Sequence, residues 1–259
     1  MGFGEILKEG WKDYKANFWA NSKVILAFYI LPLILSSLII YSVFGSNVQT
    51  ILSGAAALAD TIKFVEIGLV VFVVGFLLNI FGQIAIVSSS VKKKKYEFSE
   101  AIKNAKRFYF RYLGMIVVIV VALIFLVIAS IIIAIPLLAL GDKGMIVGAI
   151  IALVAMVALV VFAVYLAFSA FVLADENISV FKAFKRSYNL VRCKWLKVFG
   201  YLILIGLIMV AISFVIGVPS LISSSAIVSS IMEFISPFII VPLGILLLKN
   251  FYLEIKKRK

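Results

Sequence analysis

The chain has 259 residues, of which 64% are hydrophobic and 14% are charged, and its mean hydropathy is +1.21. A soluble domain carries about 25% charged residues, so this composition excludes an ordinary soluble protein. Its 25 Lys and Arg residues against 12 Asp and Glu give a net charge of +13. There is no histidine, and a single cysteine, Cys193, rules out an internal disulfide.

Long uncharged runs indicate the fold class. Residues 114–140 and 144–174 contain no charged side chain, and about 20 apolar residues suffice for a helix to cross a bilayer. The sequence therefore predicts one all-α integral membrane domain over residues 1–259. Its six transmembrane helices are predicted at about 23–44, 64–89, 113–140, 144–173, 196–217 and 235–253.

Two of the three connecting segments on one side of the predicted membrane are long, whereas the second is the tight turn GDKG at 141–144. Segments 45–63 and 218–234 are moderately apolar and rich in Ser, Ala or Gly. Their composition is compatible with short interfacial helices and equally with plain loops.

The basic residues are distributed asymmetrically around these spans. Of the 25 Lys and Arg residues, all but Lys63 and Lys143 lie on the side of the two termini if there are six spans. Basic loops face the cytoplasm. The pattern predicts a multi-pass protein of the cell membrane with both termini cytoplasmic. It also explains the positive charge without nucleic acid, which we do not expect as a partner.

The chain starts with an amphipathic stretch, FGEILKEGWKDYKANF (3–18). Its charged residues include three acidic ones, unlike the positive start of a signal peptide, and we expect a permanent helix. Its apolar or small residues fall on one helical face, and its charged residues are predicted on the opposite face. The apolar face is Phe3, Ile6, Leu7, Gly10, Trp11, Tyr14 and Phe18, and the charged face is Glu5, Lys8, Glu9, Lys12, Asp13 and Lys15.

Similar stretches recur twice, as FSEAIKNAKRFYFRYL (98–113) and VFKAFKRSYNLVRCKW (180–195). Each precedes a predicted two-span hairpin, and Ser99 is a candidate cap for the second helix. The sequence predicts three amphipathic cytoplasmic interfacial helices within three parallel helix-plus-hairpin repeats. The repeat units are about 1–90, 91–174 and 175–259.

These helices suggest contact with the membrane surface. Aromatic and basic residues on one helix favour the headgroup region, and basic clusters attract anionic lipids. We expect anionic lipids of the cytoplasmic leaflet as partners, besides a membrane or cytoplasmic protein partner. The run of lysines at 92–95 is also explained as a topology signal. The candidate lipid-contact residues are Trp11, Trp19, Lys92, Lys93, Lys94, Lys95 and Trp195.

The second span carries glycines at seven-residue intervals and two amides. Small residues permit close helix packing, and an amide can hydrogen-bond across such a contact. Asn79 and Gln83 are one turn apart, so they could alternatively line a polar path. The residues for both interpretations are Gly68, Gly75, Asn79, Gly82 and Gln83.

Two carboxylates, Glu66 and Glu233, lie near span ends. An intramembrane carboxylate is a candidate functional group, whereas one near the interface can simply anchor the helix in water. Both interpretations apply to Glu66 and Glu233.

Enzyme signatures are missing. The chain has no HExxH or GxxxxGK[ST] motif, no aspartate pair within the spans and no acidic cluster suited to Mg²⁺. We expect no catalytic residues, metal or cofactor, although a lipid-modifying enzyme stays a minor alternative.

The recurrence of FGEILKEGWKDYKANF, FSEAIKNAKRFYF and VFKAFKRSYNLVRCKW before hairpins resembles a group of prokaryotic six-span proteins. They are similar to the membrane domain attached to some glycerophosphodiester phosphodiesterases. The resemblance covers nearly the whole chain and implies a membrane module of undefined activity. It carries over no catalysis, because the soluble phosphodiesterase barrel is absent from this sequence.

Two functions therefore compete, and the sequence favours the first, with the second as the alternative. The repeats and glycine-lined helices favour a transport-type module, such as a small channel, carrier or permease subunit. The interfacial helices favour a non-catalytic lipid-interacting structural or accessory protein.

Overall fold

The computed structural model describes residues 2–45, 47–54, 57–138, 141–223 and 225–257. Within these ranges the chain forms helices and short turns, and none of it is a β-strand. The helices are α1 (Phe3–Ala16), α2 (Phe18–Ile25), α3 (Leu31–Phe44), α4 (Asn47–Leu52), α5 (Leu58–Lys92), α6 (Phe98–Leu138), α7 (Asp142–Leu166), α8 (Ser169–Glu176), α9 (Val180–Val191), α10 (Trp195–Ile222) and α11 (Ala226–Lys257).

Six helical stretches of the described chain are long and apolar enough to cross a membrane, as the sequence predicts. They run over Phe18–Phe44, Leu58–Lys92, Phe98–Ile133, Gly144–Glu176, Val180–Ile222 and Ile227–Lys257. The helices extend past most of the predicted span ends, because a helix can continue beyond the boundary of the hydrocarbon core of the membrane.

The first span contains a wide π-helical turn at Leu26–Ile30, between α2 and α3. Pro32 follows at the start of α3. Proline has no N–H to donate, and its ring clashes with the carbonyl four residues earlier. A wider turn immediately before the proline accommodates both effects without breaking the span.

The two long connections are largely helical. The segment 45–63 contains α4 and the start of α5, and the segment 218–234 contains the end of α10 and the start of α11. Residues 46, 55–56 and 224 lie outside the described residues.

Residues 98–113 differ from the expectation of a separate surface helix. They form the first part of α6, which continues unbroken to Leu138. No proline interrupts this stretch before Pro136, so helix propagation is not stopped at the predicted boundary. Ser99 is therefore the second residue of the helix and not its cap.

The stretches predicted as repeats share one pattern of burial. Their helices begin at Phe3, Phe98 and Val180, the first residue of each of the three similar stretches. Buried residues then recur in the same register. They are Ile6, Gly10 and Asp13 in α1, Ala101, Ala105 and Phe108 in α6, and Ala183, Ser187 and Leu190 in α9.

This pattern corrects the predicted faces of α1. The side chain of Asp13 was expected on the charged face, but it is buried, whereas Trp11 of the expected apolar face is exposed. Asp13 lies on the buried face because its carboxylate accepts a hydrogen bond from the buried ammonium of Lys249, as described below. Gene duplication and a threefold arrangement of the units stay predictions.

Backbone proximity divides the chain into two compact units. One unit comprises Gly2–Tyr109 with Ile208–Asn250, and its core includes Val24, Ile25, Ile84 and Leu246. We call it the first unit.

The second unit comprises Phe110–Leu207 with the chain from Phe251 onward. Its core includes Phe168, Leu173, Ala183 and Tyr252. Helices α8 and α9 meet at Asn177, which adopts a left-handed conformation with φ of 52°. Asparagine tolerates this conformation better than most residues and so ends α8.

Candidate functional site

A buried ion pair fixes α1 within the first unit. The ammonium of Lys249 on α11 donates to the carboxylate of Asp13, and the amide of Asn250 donates to the same oxygen at 3.1 Å. Beside this pair, Gly10 of α1 lies against Leu247. A buried charge is tolerated only when it is paired and hydrogen-bonded. Asp13 therefore holds α1 as a packed part of the membrane domain.

A second buried cluster, which we call the Asn17 cluster, consists of Asn17, Asn21 and Tyr96. The Asn17 side chain donates to the Lys94 carbonyl at 2.8 Å and accepts the Tyr96 backbone N–H at 2.9 Å. The Tyr96 hydroxyl donates to Asn21 Oδ1 at 2.6 Å. These bonds fix the loop between α5 and α6 against the start of the first span.

Burial raises the pKa of the Tyr96 hydroxyl, and the negative charge of Asp13 raises it further, although the hydrogen bond to Asn21 acts in the opposite direction. The hydroxyl therefore stays protonated as a hydrogen-bond donor. Burial likewise raises the pKa of Tyr14 on α1.

A cavity of about 610 Å³ opens beside the Asn17 cluster, between the start of the first span and the α5–α6 loop. Its polar and charged lining comes from both segments, and Trp19 forms part of the wall. The lining residues are Ala16, Asn17, Trp19, Ala20, Lys23, Lys95, Tyr96, Glu97, Phe98 and Ser99. We call this cavity the Lys95 pocket.

The candidate lysines of the run 92–95 have different surroundings. The Lys92 ammonium lies 4.6 Å from the centre of the Phe108 ring, and Lys93 pairs with Glu100. Lys94 contributes its carbonyl to Asn17. Lys95 alone of the four lines the pocket.

The predicted tryptophans also differ. Trp11 and Trp19 are 49% and 77% exposed in the first unit. Trp195, in the second unit, is half-buried and stacks on Phe199 with ring centres 5.0 Å apart.

Residues of the predicted glycine stripe line a groove of about 590 Å³ between the first span and α5. Gly68, Gly75 and Asn79 are on its wall, and the rest of the lining is apolar except for Tyr29 and Ser36. The groove is thus predominantly apolar along its length.

The glycines of this stripe have two different roles. A Cβ atom on Gly82 would lie 2.7 Å from the Tyr29 ring and 3.0 Å from Phe28 Cβ, whereas one on Gly68 or Gly75 would meet no described atom within 4 Å. Only Gly82 therefore permits close packing against the first span.

The two amides predicted in the second span contact each other. Gln83 Nε2 donates to Asn79 Oδ1 at 3.1 Å. This bond satisfies part of the polar surface of both side chains, and Asn79 also lines the groove.

The predicted carboxylates lie in different surroundings. Glu233 lines a groove of about 470 Å³ between α10 and α11, together with four serine side chains. Those serines are Ser213, Ser220, Ser229 and Ser236. Glu66 is exposed on α5 and is not part of this lining.

Sequence reasoning did not single out a charged cluster in the second unit. Asp175 accepts from the Tyr252 hydroxyl at 2.7 Å and from Lys256 at 2.6 Å. Next to it, Glu176 pairs with Arg186 at 3.3 Å. The ring of Phe171 stacks on Tyr252.

The Asp13–Lys249 pair and the charged cluster around Asp175 were both missed, although the sequence contained a signal for each. Lys249 is a single charge within the apolar run of the last predicted span, and Asp175 and Glu176 lie just after the end of the fourth. Within the described ranges, no group of three or more His, Cys, Asp or Glu side chains could hold a metal ion.

The six long apolar helical stretches define the class of the molecule as a multi-pass helical membrane protein. Residues 24–253 match the family model described as Domain of unknown function (DUF7847), and the chain belongs to this family. No curated protein and no solved structure is significantly similar to it.

Proposed function

We propose that the protein is a non-catalytic, lipid-interacting accessory protein of the cell membrane. In this proposal its basic end, which the charge distribution predicts to be cytoplasmic, binds anionic lipid. The resemblance to membrane domains of glycerophosphodiester phosphodiesterases belongs to the same proposal, because it suggests a membrane module without the catalytic barrel.

One observation supports the proposal above all: exposed aromatic and basic side chains lie on helices that buried polar contacts hold in place. Trp11 and Trp19 are exposed, while the helices that bear them are fixed by Asp13 and Asn17. A preorganised surface loses less conformational entropy on binding than a flexible tail does.

The chemistry of these side chains suits a membrane surface. An indole ring combines a large apolar area with a polar N–H and favours the headgroup region. Each lysine near an anionic surface contributes about 1 kcal/mol of attraction. Together they support binding to anionic lipid with the apolar helices in the hydrocarbon.

Lipid selectivity in vesicles tests the proposal. The protein is reconstituted in phosphatidylcholine, and the association of spin-labelled phosphatidylglycerol is compared with that of spin-labelled phosphatidylcholine. We expect the anionic lipid to be enriched at the protein, and salt to reduce the enrichment. Equal association of the two lipids at low salt would contradict the proposal.

A transport-type module is the second candidate, and the groove that holds Glu233 favours it. Polar groups on membrane helices are costly and are usually retained for a function. Glu233 and four serines line this groove. They form a candidate cation or proton site.

Flux measurements in proteoliposomes test this second function. Glu233→Gln is expected to abolish cation or proton flux, and Asn79→Leu tests the other groove. Glu66→Gln is the matched control, because it makes the same change outside both groove linings. A wild-type protein that passes neither cations nor protons under an imposed potential would exclude this candidate.

A further inference from the structure

The Lys95 pocket combines positive charge with an aromatic wall. Lys23, Lys95, Ser99 and Trp19 are among its lining residues, and Glu97 is the acidic residue of the lining. The structure gives neither Lys23 nor Lys95 an ion pair with any described residue. Both cations are therefore available to an external anion.

The pocket is built on a fixed frame. Asn17 bonds to the loop on both sides of Lys95, through the Lys94 carbonyl and the Tyr96 N–H. Tyr96 is anchored in turn to Asn21. The backbone of Lys95 is consequently held in place before any ligand arrives, which favours a site over a diffuse charged surface.

The cavity is also of suitable size. Its volume of about 610 Å³ lies within the roughly 300–1,000 Å³ typical of small-molecule sites.

We propose that the Lys95 pocket binds the phosphate-ester headgroup of an anionic membrane lipid. This assignment rests on the lipid-interacting function proposed above and specifies its site. Lys23 and Lys95 attract the phosphate and the Ser99 hydroxyl donates to it. Trp19, exposed at the start of the first span, packs against the glycerol and the upper acyl chains.

The position of the pocket favours a lipid over a soluble phosphate ester. Its cations belong to the first turns of an apolar helix and to the loop after another, where headgroups meet membrane helices. An indole at this position matches the boundary between headgroup and chain.

The lysine run provides a matched pair of variants. Lys95 lines the pocket and the Lys94 side chain does not, although both are exposed and adjacent. Lys95→Gln and Lys94→Gln remove the same charge one residue apart. A diffuse electrostatic attraction would respond equally to both substitutions, whereas a pocket responds to one.

Lipid binding to the full-length protein in neutral detergent, measured by native mass spectrometry, tests the proposal. Phosphatidylglycerol is titrated and the dissociation constant of the first bound lipid is determined. Lys95→Gln and Lys23→Gln are each expected to weaken binding about fivefold, the loss of one lysine near the phosphate. Lys94→Gln is expected to change it less than twofold, and Glu97→Gln is expected to strengthen it.

Two results would overturn the assignment. Equal weakening of lipid binding by Lys94→Gln and Lys95→Gln would show that a diffuse basic surface, and not the pocket, binds the lipid. Displacement of the lipid by sn-glycerol 3-phosphate at comparable concentration would identify a soluble phosphate ester as the ligand.

The two proposals fail separately. If the vesicle experiment shows anionic selectivity but Lys95→Gln behaves as Lys94→Gln, the function stands and the site is wrong. If wild-type protein shows no selectivity in vesicles, the function itself fails. The melting temperatures of all four variants are measured as a control. Unchanged values would show that the substitutions alter binding and not folding.

Discussion

Lys249 of the last helix pairs with Asp13 of the first, although they lie 236 positions apart in the chain. Their side chains are 4% and 9% exposed. The pair closes the first unit by joining α1 to α11. It also explains why the charged face of α1 is not entirely turned to solvent.

Removing one partner of this pair is expected to destabilise the protein strongly. Asp13→Ala leaves the charge of Lys249 buried without its counter-ion, which costs about 3–5 kcal/mol. The melting temperature in detergent should fall by on the order of 10 °C.

The double variant Asp13→Leu with Lys249→Met should recover much of this loss, because it removes both charges. The register of the buried positions supports leucine there, since Phe108 and Leu190 are the equivalents of Asp13. Glu9→Ala, outside the buried cluster, is the control. An unchanged melting temperature for Asp13→Ala would contradict the role given to the pair.

The raised pKa of Tyr96 predicts a loss of stability at high pH. An unfolded tyrosine ionises near pH 10, whereas the buried hydroxyl keeps its proton to higher pH. Its contribution to stability is full below about pH 10 and is lost as the pH rises above that value. Melting temperatures between pH 9 and pH 11 should fall more steeply for the wild type than for Tyr96→Phe.

At neutral pH the same variant loses the hydrogen bond to Asn21, which costs about 1–3 kcal/mol because Asn21 is buried. Identical slopes against pH for the two proteins would show that Tyr96 ionises in the folded state as it does in the unfolded chain.

Two glycines of the α5 stripe should respond oppositely to alanine. Gly82→Ala places a methyl group 2.7 Å from the Tyr29 ring, and overpacking of this kind costs about 1–3 kcal/mol. Gly75→Ala enters open space, and alanine favours a helix by up to about 1 kcal/mol over glycine. Thermal unfolding in detergent measures both, and an equal loss in the two variants would refute the distinction.

The charged cluster of the second unit should depend on Asp175 more than on its neighbours. Asp175→Ala removes the acceptor of the buried Tyr252 hydroxyl and the partner of Lys256, at a cost of about 1–3 kcal/mol. Arg186→Gln breaks a more exposed pair with Glu176 and should cost less than about 1 kcal/mol. The free energies of unfolding of the two variants, measured by chemical unfolding, test this ranking. A larger loss for Arg186→Gln than for Asp175→Ala would contradict it.

The class of the protein and its six spans could be predicted from composition because the bilayer imposes a length on every apolar helix. The positions at which α1, α6 and α9 begin also followed from local pattern. Other boundaries did not: residues 98–113 carry an amphipathic pattern, yet the helix continues into the span. Periodicity identifies a face, but it does not terminate a helix.

The candidate site depended on contacts that no local pattern contains. The sequence presented Lys94 and Lys95 as equal members of a basic run, and Gly75 and Gly82 as equal members of a stripe. The structure separated them, because the hydrogen bonds of the Asn17 side chain orient the loop, and the Tyr29 ring and Phe28 Cβ reach only Gly82.

By itself, then, the sequence determined a multi-pass helical chain with an amphipathic start and a basic end, since hydropathy and charge act residue by residue. Only the tertiary structure decided that Asp13 faces inward to Lys249 and that Lys95 lines a cavity. The physical reason differs for the two. Asp13 and Lys249 are distant in sequence, so only long-range packing brings them together. Lys94 and Lys95 are adjacent, and only the backbone conformation that this packing holds decides which side chain lies at the cavity.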